Sequence, residues 1–312
     1  MEKVRCPICN NHKFTHILIG QDNINKIQGK FNIVKCTGCH LLLTNPRPNL
    51  IEIKKYYPIK YIPYHPDFKK SVTIANFRLK YPLIYSIIDP QHNINLLTHK
   101  KINNILEIGC GAGNYLYELK TLYPNWNISG VDISETNINY LKKNNINAYL
   151  SNLTNIPHKD SSLDIVYGWM VLEHVHELNK AILEIHRVLK NNGIFCLSVP
   201  NAASWEFKLF KENWHGLHLP NHLYHFTPKS ITMLLEKNNF YVKKIIFQKN
   251  FSSVFSSLSV SIENSSSPKF IKKISRKVLK WNIFYHLVTL PFSYLLSFLK
   301  QSGRITIIAY KK

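Results

Sequence analysis

The chain has 312 residues, enough for one large core plus a small module, and its 45% apolar content is that of an ordinary globular protein. A net charge of +22 directs attention to nucleic acid or an anionic membrane. Lysine, asparagine and isoleucine are abundant throughout while arginine is scarce, so base-composition bias explains part of that charge, and arginine-based bidentate reading of bases is not expected. Residues 1–20 lack a sustained apolar stretch beside a basic start, so no cleavable signal peptide is expected and the expected location is cytoplasmic.

Four of the six cysteines come as "CPIC" and "CTGC": Cys6, Cys9, Cys36 and Cys39. Two such knuckles flanking a strand-forming segment with Gly20 and Gly29 in its turns resemble a zinc ribbon, where four thiolates close a structural Zn2+ site. Disulfides are a poor reading in a cytoplasmic chain, and neither knuckle opens a thioredoxin-like helix. Four sulfur ligands leave the metal no open position for catalysis, so its expected task is to fold residues 1–48. Cys110 and Cys196 are expected to be small packing residues.

The phrase "CHLLLTNPRP" follows, and Pro46 and Pro48 mark a boundary. Residues 49–100 are expected to be a linker and a helical cap, with helices over 68–100, leading into a large domain over 101–312.

That domain opens with "ILEIGCGAGNYLYEL". The apolar run meets Gly109, Gly111 and Gly113, and the third glycine of a dinucleotide fingerprint is replaced by Asn114. Glu107, near the strand end, is an awkward neighbour for pyrophosphate. It suits a ligand that carries an ammonium group and no phosphate, a description that S-adenosylmethionine (SAM) fits.

Further along, "ISGVDIS" ends in Asp132, and "SSLDIVYGWMVLEHV" precedes "AILEIHRVLKNNGIFCLSVPN". E-x-G-x-G-x-G and this ordered set, over residues 103–248, resemble class I SAM-dependent methyltransferases. The phrase before the domain resembles the junction in members that carry a ribbon, many of them in sugar and surface-glycan pathways. The resemblance implies an α/β fold: a seven-stranded Rossmann-like sheet with an antiparallel last strand, plus the ribbon. It assigns Asp132 to the ribose hydroxyls and Glu107, Gly109, Gly111 and Gly113 to the cofactor loop, with Ile133, Leu153 and Trp169 also at the cofactor. Asn152 stands where the family has an acidic residue for the adenine amino group; an amide oxygen can still accept that bond.

Alternating strand and helix predict a parallel sheet with right-handed crossovers. Strands are expected near 103–109, 127–132, 147–151, 163–168 and 193–199, and "SETNINYLKKN" as a helix capped by Ser134. Ligands of such sheets sit at the carboxyl ends of the strands.

Motifs of base amino-methylases and of cytosine C5 methylases are missing, which favours a small-molecule or glycan acceptor. Methyl transfer from a sulfonium depends on alignment, and a hydroxyl acceptor gains from a base. "NWHGLHLPNHLYHFTPK" supplies His215, His218, His222 and His225 within an acceptor-side loop, 200–227. The family resemblance puts His222 and His225 near the acceptor, with His222 as the base; His174, in "LEHV", is a third candidate. At least two of the four loop histidines are expected to serve structure. Trp169 has an aromatic face that can favour a cation.

"TPKSITMLLEKNNF" predicts a helix capped by Thr227 with Pro228 at its first position; "YVKKIIFQ" and "GRITIIAYKK" are the sixth and seventh strands. Between them lies an insertion, 249–303. Its "SSPKFIKKISRKVLKW" predicts a helix from Pro268, with Phe270, Ile271, Ile274, Val278 and Trp281 on one side and lysines on the other. Such a helix suits an anionic membrane surface, and packing of its apolar side on the protein is the equal alternative. "IFYHLVTLPFSYLLSFL" is nearly long enough to span a bilayer, but strands on both sides return to one sheet, and Pro291 is expected to split the run into two short helices.

The sequence thus points to a cytoplasmic SAM-dependent methyltransferase, with peripheral membrane association expected from the insertion, acting on a small-molecule, sugar, glycan or lipid-linked acceptor. The alternative is an RNA-binding or RNA-modifying protein that uses ribbon and lysines.

Overall fold

The computed structural model describes residues 1–57, 67–88, 102–249, 251–278 and 282–312. In chain order, β1 (Phe14–Gly20), β2 (Phe31–Cys36) and β3 (Leu42–Thr44) precede helices α1 (Phe68–Lys80) and α2 (Pro82–Ile88). Then come β4 (Asn104–Ile108), α3 (Asn114–Leu122), β5 (Asn127–Asp132), α4 (Glu135–Lys143), β6 (Asn147–Leu150), β7 (Leu163–Trp169), α5 (Leu178–Val188) and β8 (Leu189–Pro200). The chain closes with α6 (Trp205–Phe210), β9 (Tyr224–His225), α7 (Pro228–Lys237), β10 (Phe240–Phe247), α8 (Ser252–Asn264), α9 (Lys269–Val278), α10 (Asn282–Phe298) and β11 (Arg304–Lys311). It divides into two compact units, one of Met1–Tyr57, Val199–Leu234 and Ile246–Thr306, the other of Pro58–Ser198, Leu235–Ile245 and Ile307–Lys312.

The second unit carries the seven-stranded sheet, ordered β10-β11-β8-β7-β4-β5-β6. β6, β5, β4, β7 and β8 run parallel; the apolar runs of β5, β4, β7 and β8 are buried as a parallel sheet covered on both faces requires, while the edge strand β6 is mostly exposed. β11 lies antiparallel to β10: Lys312 N–H bonds Asn239 O at one end and Gln248 N–H bonds Arg304 O at the other. On α5, Leu178, Ala181, Ile182, Ile185 and Val188 recur at helical spacing and are all buried. The Ser134 cap of α4 forms as expected, its side chain accepting from Asn137 N–H. The cap of α7 does too, through Thr227 Oγ1 and Ser230 N–H at 3.1 Å.

Helix α1 lies on α3. Arg78 and Glu118, both buried, pair at 2.5 Å, Phe68 stacks on Tyr117 at 4.4 Å, and Asp67 N–H donates to Asn114 Oδ1 at 2.7 Å. These contacts fix the helix that begins at the glycine loop. Helices α1 and α2 lie in the stretch expected to form a helical cap, of which 89–100 lies outside the described residues.

The first unit holds a four-stranded antiparallel sheet, β1-β2-β3-β9. Its last strand is a finding that the sequence reading does not contain: Leu42 pairs with His225 and Leu43 with Tyr224. Arg47 locks this join, donating to Tyr224 Oη at 2.8 Å and to Glu2 Oε1 at 2.7 Å. Two insertion helices differ from expectation. Helix α9 begins at Lys269, with Pro268 O accepting from Ile271 and Lys272 N–H just outside it. Helix α10 runs unbroken through Pro291, which corrects the expected split: a proline removes one donor and can bend a helix without ending it. Trp281 lies outside the described residues.

Candidate functional site

β4, β5, β6 and β7 are parallel, so the residues at their carboxyl ends share one edge of the sheet. There the glycine loop follows Ile108, Asp132 ends β5, Asn152 and Leu153 follow β6, and Trp169 ends β7. The loop needs its glycines: Gly109 has φ +61° and Gly113 φ +76°, and a Cβ on Gly113 would lie 2.3 Å from Leu141 Cδ2. Gly113 is also the N-cap of α3, so the backbone is turned there as the helix begins. The Asp132 carboxylate accepts from Gly111 N–H and from Ser134 N–H, each at 2.8 Å. It thereby ties the loop to β5. Burial nevertheless outweighs these donors and raises its pKa above the usual carboxylate range.

Glu107 is the more telling group. It is 5% exposed, and burial pushes it well above the carboxylate range, opposed by a hydrogen bond from Tyr167 Oη at 3.1 Å. The charged groups acting on it, Asp132 and Glu118, are both acidic. Glu118 is already paired with Arg78, but a buried carboxylate with Asp132 nearby still favours a cationic ligand. Three rings cluster on this side: Tyr115 meets Tyr167 edge-on at 5.3 Å and Trp169 edge-on at 5.9 Å.

Of the remaining cofactor candidates, Ile133 stands 62% exposed beside Asp132, an apolar surface open to a planar ring. Leu153 is buried with φ +69°. Asn152 Oδ1 accepts from Thr154 N–H at 3.1 Å and from Thr154 Oγ1 at 2.7 Å, so in this structure its amide oxygen closes an Asx turn.

In the first unit the four cysteines form one cluster. Their sulfurs lie within 4.8 Å of one another, with Cys6 to Cys39 at 3.3 Å and Cys9 to Cys36 at 3.4 Å. A tetrahedral zinc with Zn–S near 2.3 Å holds its sulfurs about 3.8 Å apart, within that span. Backbone N–H groups of Ile8 and Cys9 point at Cys6 Sγ, that of Asn11 at Cys9 and that of Leu41 at Cys39. Burial raises the Cys6 and Cys39 thiols, and these donors oppose it in favour of the thiolate form that a metal needs. The residues present therefore fit Zn2+.

The candidate histidines divide between the units. His174 ends a short 3-10 turn, Leu172–His174, in the second unit, ahead of α5 rather than within it. In the first unit His222 and His225 gather around Thr44, whose hydroxyl donates to His222 O at 3.0 Å and lies 3.3 Å from His225 Nε2. His225 is buried in β9, and burial lowers its pKa to about 3, which keeps it neutral. His222 Nδ1 sits 2.8 Å from Gly216 O, so Nδ1 carries the proton and Nε2 is the basic atom. His218 faces His222 with ring centroids 5.0 Å apart. Burial also depresses His215, to about 4.

Tyr167, Tyr115 and Thr44 belong to these arrangements and were not candidates from sequence. An aromatic residue in a buried strand has the same pattern whether it packs or bonds a carboxylate, and a two-residue strand such as β9 leaves no periodicity to detect.

Comparison with known proteins agrees with this geometry. The family described as "Methyltransferase domain" matches residues 85–245. A probable S-adenosylmethionine-dependent methyltransferase of Mycobacterium tuberculosis is 30% identical over 104 residues, 33% of this chain and 37% of that protein. The ubiquinone biosynthesis O-methyltransferase of Rickettsia akari is 29% identical over 110 residues, 34% of this chain and 43% of that protein. The chain thus spans well under half the length of these two relatives. A solved SAM-dependent methyltransferase of Thermotoga maritima, described as a possible histamine N-methyltransferase, is similar over 80% of this chain and 100% of its own, with a TM-score of 0.46 and 16% identity. With the family matched over more than half its residues, the chain belongs to the methyltransferase-domain family.

Proposed function

We propose that the protein is a SAM-dependent methyltransferase that acts on a hydroxyl of a sugar, glycan or lipid-linked acceptor and carries a structural Zn2+ on Cys6, Cys9, Cys36 and Cys39. The observation that carries the SAM reading is Glu107: a buried carboxylate beside the glycine loop, acted on by other acids and bonded by a phenol. An ammonium group answers that need, and SAM supplies one together with the reactive sulfonium. Asp132, already held by the loop and by Ser134, would hold the ribose hydroxyls, and exposed Ile133 would offer the adenine an apolar surface.

His222 is the base we favour, because its Nδ1 proton is committed to Gly216 O and its lone pair is on Nε2. His225 and His174 are the further candidates for the acceptor side. The O-methyltransferase relative supports an oxygen acceptor; the glycan class rests on the resemblance of the ribbon junction.

The test incubates the full, metal-loaded chain with radiolabelled SAM and extracts of cellular metabolites, lipids, glycans and RNA. Label in a lipid or glycan fraction, reduced about 100-fold or more by His222→Ala, supports the proposal. Label confined to RNA would favour the alternative suggested by the +22 charge, and failure of folded protein to bind either SAM or its demethylated product rules the activity out.

A further inference from the structure

We propose that the insertion helices form a docking surface for anionic lipid bilayers. The sequence leaves two fates for the apolar side of α9, buried on the protein or presented outward, and the structure presents it outward. Phe270 is 65% exposed, Ile274 54% and Ile271 36%. Two turns of helix therefore hold three large apolar side chains in water, flanked by exposed Lys269 and Lys273. Helix α10 repeats the pattern, with Phe292 60% exposed, Leu295 52% and Phe298 83%. Isolated exposed apolar residues are ordinary; a helix face built of them marks an interaction surface.

Charge selects the occupant. Residues 264–312 contain no Asp or Glu and ten Lys or Arg, in a chain that has 18 acidic residues in all. The general lysine richness of the chain does not account for a stretch from which acids are missing. Lys272 is committed to the protein, since its ammonium caps α8 through the carbonyls of Glu263 and Ser265 at 2.9 and 2.8 Å; Lys269 and Lys273 remain at the surface.

A second copy of the chain is a poor occupant, because a two-fold interface would set lysine against lysine with no carboxylate on this stretch to intervene. RNA answers the lysines and leaves the phenylalanines and isoleucines in water. An anionic bilayer answers both, taking apolar side chains below the headgroups while lysines stay at phosphate level. Among the described residues no helix is long and apolar enough to cross a membrane, so the contact is a surface one.

The inference stands on the insertion alone, and vesicle binding and SAM binding are separate readouts that can fail separately. The full-length, metal-loaded protein is floated with vesicles of phosphatidylcholine alone and with about one third phosphatidylglycerol. Binding is expected only to the anionic vesicles and to weaken with added salt. Phe270→Ser/Ile274→Ser and Lys269→Gln/Lys273→Gln change exposed side chains, so the melting temperature should hold while binding falls about tenfold or more in each. No flotation with anionic vesicles, flotation unaffected by both variants, or a Phe270→Ser/Ile274→Ser variant that instead loses a dimer seen by light scattering would each overturn the proposal. So would salt-sensitive binding to a short single-stranded RNA without flotation.

Discussion

Glu107 and Tyr167 form the pair on which the cofactor reading turns, and the two residues make different predictions. Replacing Glu107 by Gln keeps the shape and the bond from Tyr167 while removing the charge that would face an ammonium. Hydrogen bonds to charged groups contribute about 1.5–3 kcal/mol, so Glu107→Gln should weaken SAM binding about 10- to 100-fold. Tyr167→Phe removes one bond to the carboxylate, which still faces the ligand, and should weaken binding only several-fold. Calorimetry with SAM decides: wild-type affinity in Glu107→Gln would remove the carboxylate from the site. Glu107, Asp132 and the glycines are legible in sequence because a carboxylate and three alternating glycines cluster at one strand-to-helix turn. Tyr167 is not legible, since its hydroxyl finds Glu107 only once β4 and β7 lie side by side.

At the scale of elements the parallel strands are readable as continuous apolar runs, and α4 and α7 as capped helices. What stays hidden is set by tertiary contact. β9 becomes a strand only because β3 offers an edge to it, and α10 continues through Pro291 because apolar residues on both sides keep it helical. The borrowed strand makes the proposed zinc site testable in an unusual way. The cysteines bracket β1 and β2, β3 follows directly after Cys39, and β9 hangs on β3. A segment this small depends on its staple. Metal analysis should give one zinc per chain, and a strong chelator should erase hydrogen-exchange protection in β1–β3 and at Tyr224–His225 together. A protein that lacks zinc as purified, or whose chelated form keeps that protection, would not carry a structural metal there.

For the whole molecule, proton linkage separates two buried populations of opposite sign. His225, depressed to about 3, adds stability that is present above its unfolded pKa near 6.5 and is lost as pH falls toward 3. Glu107 and Asp132 are raised, so their contribution is present below the unfolded carboxylate range and is lost as pH climbs through their folded values. Burial thus disfavours the ionised form of both acids in the ligand-free fold, and a cationic ligand favours it. Below the folded value of Glu107 the ligand must first displace a proton, which costs about 1.4 kcal/mol per pH unit. The rise in melting temperature produced by saturating SAM should therefore shrink as the pH is lowered through the folded value of Glu107. Taking the difference between liganded and free protein cancels the His225 contribution, which is common to both. In Glu107→Gln the smaller rise should be nearly flat over the same window. A wild-type shift independent of pH, or an equal slope in the variant, would mean that the buried acid beside the glycine loop is not what receives the ligand's charge.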